Sequence, residues 1–131
     1  MPIEHLIDRE RRIVIATGHG VLTDADVFQY QQGVWSDPGV AGFDEIVDMS
    51  DVTDVPMPSS LRARDLAAVA ARMDPPGSAS RLAIVAPADF AYGLARMYAS
   101  YRELQAGGSK RVRVFRAMAD AKAWLEERPA G

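Results

Sequence analysis

The run from Arg81 to Tyr101, RLAIVAPADFAYGLARMYASY, restricts the possible folds more than any other stretch of this chain. It begins with an apolar segment of strand length, Arg81 to Ala86, too continuous in its hydrophobicity for a half-exposed strand. Pro87 closes that strand, and Asp89 follows in a first helical turn, where a carboxylate suits the helix dipole. From Phe90 onward apolar residues recur at steps of four and three: Phe90, Leu94, Met97, Tyr101 and Leu104. A buried strand leading straight into an amphipathic helix calls for an α/β fold, with sheet neighbours on both sides and helices covering the faces. That apolar stripe is expected to face the sheet. A second stripe, Ala91, Ala95, Tyr98 and Arg102 with Tyr92 beside it, lies away from the first and is expected either to pack on a partner or a second copy or to form a core contact covered by the neighbouring helix.

The remaining elements fit the same plan. Ile3 to Asp8 and Arg12 to Thr17, separated by Arg9-Glu10-Arg11, predict an opening hairpin, with Gly18-His19-Gly20 ending its second strand. Thr23 and Asp26 form a capping-box pattern, and Leu22 and Val27 suit a hydrophobic staple. A helix is therefore expected from Asp24 to about Ser36, with Val27, Tyr30 and Val34 on one face and Phe28 and Trp35 beside them. Phe43 to Asp48 predicts a third strand, followed by an acidic loop from Met49 to Pro58. Ser59 or Ser60 can cap the next helix, whose Ala63, Leu66, Ala70 and Met73 keep helical spacing until Pro75-Pro76-Gly77. Lys110 to Phe115 is the fifth strand. Its outward Arg111 and Arg113 protect an exposed edge from mispairing. Ala117 to about Arg128 is the last helix, with Ala117, Ala121, Trp124 and Leu125 turned to the core. After the hairpin, strands and helices alternate, so the expectation is a mixed five-stranded sheet with an antiparallel first strand, right-handed crossovers and about four helices.

Composition narrows the function classes. A chain of 131 residues is of one-domain size, so residues 1–131 are read as a single domain. With 48% hydrophobic and 25% charged residues it has a globular composition. Its apolar runs are too short to span a bilayer, and its opening MPIEHLIDRERR lacks a signal-peptide core, so a cytoplasmic location without membrane association is expected. The absence of cysteine removes disulfides, thiolate catalysis and cysteine-ligated zinc. Net charge is −3, but residues 1–65 carry 12 acids against 5 bases, and the rest 6 acids against 10 bases. That asymmetry reads either as charge scattered over a solvated surface or as a guide to self-association, whereas the acidic balance argues against nucleic-acid binding.

EIVDMSDVTDV at Glu45 to Val55, FAYGLARMY at Phe90 to Tyr98 and VFRAMADAKAWL at Val114 to Leu125, in this element order, resemble the SpoIIAA-like family of STAS-type domains. The resemblance covers nearly the whole chain and implies a small cytoplasmic switch or binding protein. Better-understood STAS domains are phosphorylated on a serine at the start of the helix after the third strand. Here that region is Asp54-Val55-Pro56-Met57-Pro58-Ser59-Ser60-Leu61, without the usual Asp-Ser-Ser-Gly run, leaving Ser59 and Ser60 as phosphosite or helix cap. STAS-type domains also resemble the SEC14-like lipid-binding fold in broad architecture.

The residues themselves supply no paired nucleophile and base. His5 and His19 are the only histidines, and no G-x-S-x-G elbow occurs, so no catalytic residue is assigned and the expectation is a non-enzyme without cofactor. Asp48, Asp51 and Asp54 are weak metal candidates, since their spacing does not match an EF-hand. The first functional expectation is a protein-binding module, a homodimer or a partner of another protein, using Tyr92, Arg96, Tyr98 and Arg102, residue types enriched at interfaces. The alternative is a carrier of a small apolar, lipid-like ligand in a pocket lined by Phe28, Trp35, Met57, Phe90 and Met97.

Overall fold

The computed structural model describes residues 2–56, 60–74, 79–104 and 110–127, with residues 60–63 described by backbone alone. A five-stranded sheet carries the chain: β1 (Ile3–Asp8), β2 (Ile13–Val21), β3 (Asp44–Asp54), β4 (Arg81–Val85) and β5 (Arg111–Phe115), side by side in sequence order. β1 pairs antiparallel with β2, and every other neighbouring pair is parallel. The connections contain α1 (Asp24–Trp35), a 3-10 turn at Pro38–Val40, α2 (Ser60–Arg72) and α3 (Asp89–Leu104), while α4 (Met118–Glu126) follows β5. The mixed sheet, the antiparallel first strand and the edge position of β5 are as the sequence predicts.

Every crossover after β2 steps one strand in the same direction. Right-handed connections that keep stepping the same way leave their helices on one face. α1, α2 and α3 accordingly form a layer, α2 packing on both its neighbours, and α4 packs on the opposite face against β3, β4 and β5. The two-residue alternation of β4 serves both layers. Leu82 and Ile84 join Ala91, Ala95 and Val112 on the α3 side, and Ala83 and Val85 join Ala121, Trp124 and Leu125 on the α4 side. Under α1 a further cluster gathers Val14, Ala16, Tyr30, Val34, Val40 and Phe43. Thr23 caps α1: its hydroxyl accepts from the Asp26 amide at 3.2 Å, and the Asp26 carboxylate accepts from the Thr23 amide at 2.9 Å.

Four expectations are corrected. Gly18-His19-Gly20 does not end β2, which runs to Val21, because irregularities of register between Thr17 and His19 and between Gly20 and Val21 take up the glycines within the ladder. A Cβ at Gly18 would lie 2.8 Å from Val52 Cγ2, and Gly20 has φ +65°, so both positions use what only glycine offers freely. Likewise β3 continues to Asp54 and occupies most of the predicted acidic loop. Finally, the buried stripe of α3 is Ala91, Ala95 and Arg102, whereas Phe90 and Leu104 are exposed. Alanines let the helix lie close to β4 and β5, a packing that the larger residues of the other stripe would hold off. In α4, Ala117 is the exposed N-cap and not a core residue.

Candidate functional site

The α1–α3 layer does not close fully on the sheet. It leaves a cavity of about 190 Å³. Ala16 and Gly18 of β2, Ala70 of α2 and Ala95 of α3 make room for it with small side chains, while Val47 and Met49 of β3, Leu82 and Ile84 of β4, and Val27, Leu66, Leu94 and Met97 of the helices supply apolar walls. Leu22 and Thr23, next to the α1 cap, also line it, so the capping box holds part of the cavity rim in place.

One end of this apolar space is polar, and the alternation of β3 puts it there. Glu45 lies two residues before Val47, on the inward face, and is buried. Its Oε2 accepts from the Tyr30 hydroxyl at 2.6 Å and from Trp35 Nε1 at 3.2 Å, and Trp35 Nε1 also lies 3.1 Å from the Tyr30 hydroxyl oxygen. Lys110 Nζ donates to Glu45 Oε1 at 3.3 Å and sits 3.5 Å from the Trp35 ring centroid, a cation held by a carboxylate and a π-face together. The Lys110 backbone amide donates to Asp74 Oδ2 at 3.0 Å. Arg102 Nη2 reaches both Asp74 oxygens at 2.9 Å, and Arg102 Nη1 donates to the Tyr98 hydroxyl oxygen at 3.3 Å. Gln31 Nε2 reaches the same hydroxyl at 3.2 Å. Lys110 joins the Glu45 and Asp74 groups into one network.

The electrostatics follow from depth. The four charged side chains, Glu45, Lys110, Asp74 and Arg102, are each 4–8% exposed. They pair as two acids with two bases, so the buried charge cancels. Burial, reinforced by the Glu45 carboxylate, holds the Tyr30 hydroxyl protonated well above the ordinary tyrosine range. Burial also raises Tyr98, partly offset by Arg102. For Arg102, burial works against the charge, but Tyr98 and Asp74 outweigh it and keep the guanidinium charged to higher pH than usual. Among the described residues, two buried atoms of this region stay without a hydrogen-bond partner: Gln31 Oε1 and Arg102 Nε.

Of the predicted pocket residues, Trp35 and Met97 line the cavity. Phe28 and Phe90 do not, being 43% and 42% exposed. Met57 and Ser59 lie outside the described residues, and Ser60 opens α2 with its side chain outside them. Of the predicted contact residues, Tyr98 and Arg102 turn inward and belong to the cavity network, which removes them from an outer contact face. Arg96 stays on the outside, whereas Tyr92 packs half-buried against the core on the α3 side, its ring lying 4.0 Å from the Arg116 guanidinium and 5.9 Å from that of Arg96. Asp48 accepts from the Ser50 amide and hydroxyl, and Asp51 faces His19 Nδ1 at 3.5 Å. On an extended strand, successive members of the Asp48, Asp51, Asp54 series stand roughly 10 Å apart. Among the described residues no group of three histidine or acidic side chains could hold a metal ion, and no helix is long and apolar enough to cross a membrane.

Sequence reasoning missed Glu45, Gln31, Asp74 and Lys110. A signal for Glu45 was present, because strand alternation puts it on the same face as Val47. Asp74 and Lys110 had none, since each sits at an element boundary where a charged residue is ordinarily solvated.

No family model matches this sequence, and no curated protein does. Among solved structures, the chain is similar to an uncharacterised protein of the DUF3478 family with a SpoIIAA-like fold from Shewanella loihica PV-4, with a TM-score of 0.59 and 15% sequence identity, covering 94% of this chain and 93% of that one. The fold of this chain is SpoIIAA-like, as the sequence resemblance implies.

Proposed function

We propose that this chain binds a small, largely apolar molecule in the cavity between the sheet and α1–α3, and acts by holding that molecule, not by transforming it. One observation carries the reading: a partly open space of about 190 Å³ with apolar walls and a hydrogen-bonded polar end. A cavity of about 150 Å³ with apolar lining takes up benzene, so a volume of this order suits one ring or a short alkyl chain. A long-chain lipid would overfill it. The holding role is supported by the network itself, whose two tyrosines stay protonated and whose charges are already paired.

The test is uptake of toluene, followed by chemical shifts of methyl groups. In the wild type, shifts are expected at Val27, Leu66, Ile84 and Met97. Ala95→Leu, which fills the space, should abolish them. An unperturbed wild-type spectrum at millimolar toluene would sink the reading.

A second reading, association with another copy of this chain through the outer face of α3, is supported by the Arg96 and Arg116 guanidinium groups that lie against the half-buried Tyr92 ring and by the exposed Phe90 of the same helix. Arg96→Glu should lower the mass measured by light scattering. A monomeric wild type at high concentration removes this reading.

A further inference from the structure

The polar end of the cavity carries information about the ligand that the apolar walls do not. Resting on the binding role proposed above, we infer that the site selects an uncharged ligand whose polar end is a hydroxyl, of which phenol is the simplest single-ring example. Three observations lead there.

Charge is the first. Glu45 with Lys110 and Asp74 with Arg102 are two buried ion pairs whose formal charges sum to zero. Among the described residues of this polar end a carboxylate finds no spare cation, because Arg102 is engaged with both Asp74 oxygens and Lys110 with Glu45 and the Trp35 ring. An ammonium ion likewise finds no spare carboxylate there, since Glu45 and Asp74 are the acids so engaged. Either ion would leave water without a compensating partner, the costliest transfer available to a ligand.

Unmet hydrogen bonding is the second. Gln31 and Arg102 both line the cavity, and both bond the Tyr98 hydroxyl oxygen, at 3.2 and 3.3 Å. Each also keeps one buried atom without a partner: Oε1 of the Gln31 carboxamide and Nε of Arg102. One is an acceptor and the other a donor. Buried polar atoms of native proteins nearly always have partners, and a ligand is one source of them. A hydroxyl both donates and accepts, so a small side-chain adjustment that admits it lets it answer either atom, giving its proton to the carboxamide or receiving the guanidinium N–H. It also suits either orientation of that carboxamide.

Size is the third. The cavity accommodates about one ring, which leaves room for a single small polar group and not for a larger head. A phenol is neutral at pH 7, since its ordinary pKa is near that of tyrosine, about 10.

Isothermal titration at pH 7 with four single-ring probes tests this: phenol, toluene, benzoate and benzylamine. Phenol should bind at least tenfold more tightly than toluene, and toluene more tightly than the two ions. Gln31→Leu should weaken phenol about tenfold while leaving toluene unchanged or slightly tighter, which a general loss of structure would not do. Benzoate or benzylamine binding as well as phenol would overturn the inference, as would toluene matching phenol; both leave the cavity reading intact. If no probe binds, toluene included, both fall together. Should Gln31→Leu fail to fold, the ranking of the four probes on the wild type still decides.

Discussion

Tyr30 and Glu45 meet at 2.6 Å in a part of the molecule where each is less than a tenth exposed. Removing the hydroxyl leaves the carboxylate short of a donor that water cannot easily replace. Tyr30→Phe should therefore destabilise the fold at pH 7 by about 1–3 kcal/mol, read from urea denaturation. The same pair sets an alkaline limit. The folded chain keeps its Tyr30 and Tyr98 protons above the ordinary tyrosine pKa, whereas the unfolded chain releases them near pH 10. Above that pH the unfolded state binds fewer protons, so the contribution is fully present below about pH 10 and declines as pH climbs toward the raised folded values. The loss between pH 9 and pH 11 should be smaller in Tyr30→Phe than in the wild type, and equal losses would contradict the assignment. Arg102→Met is the harsher change, because it takes from the buried Asp74 carboxylate its guanidinium cation; breaking such a buried pair costs about 3–5 kcal/mol. Retained stability in that variant would mean that Asp74's remaining donors, the Lys110 amide among them, or water carry its charge.

α1 depends on its first turn. Thr23→Ala removes one half of the capping box and should cost about 0.5–2 kcal/mol, measured by thermal or urea unfolding. Because Leu22 and Thr23 also line the cavity, toluene affinity should fall with it. This cap was legible in the sequence, since four residues encode it locally. So were the order of elements, the antiparallel opening and the basic edge of β5, which rest on short-range periodicity. What was not legible depends on neighbours distant in sequence. The glycines of β2 resemble a strand stop until β3 is seen to run alongside them to Asp54. The face of α3 was misassigned because hydrophobicity favoured the larger residues, whereas close approach to the sheet favoured Ala91 and Ala95. Tyr98 and Arg102 have the composition of an interface, and only Asp74 and Gln31, brought in from α1 and the end of α2, make them interior.

As a whole, the molecule carries different cores on the two faces of one sheet, one that holds the cavity under α1–α3 and one built on Trp124 under α4. Trp35 reports on the first and Trp124 on the second. β3 and β4 contribute to both, so neither face can lose its structure alone. Trp35→Phe and Trp124→Phe, each leaving a single tryptophan, should give coincident urea transitions once each variant's own stability is allowed for. Probe-dependent steps within either variant would instead divide the chain into separate cooperative units.

The strands also lie in the order of their synthesis. A chain leaving the ribosome adds each one to the open margin of those already in place, with no need to insert between them. Glu45 belongs to the middle of that sequence, but its cation, Lys110, stands at the threshold of the final strand. Until β5 docks, the nascent sheet carries an unneutralised acid at its heart. The last strand to be made is therefore the latch, and a ribosome-bound chain lacking it should remain open to protease where the finished protein is closed.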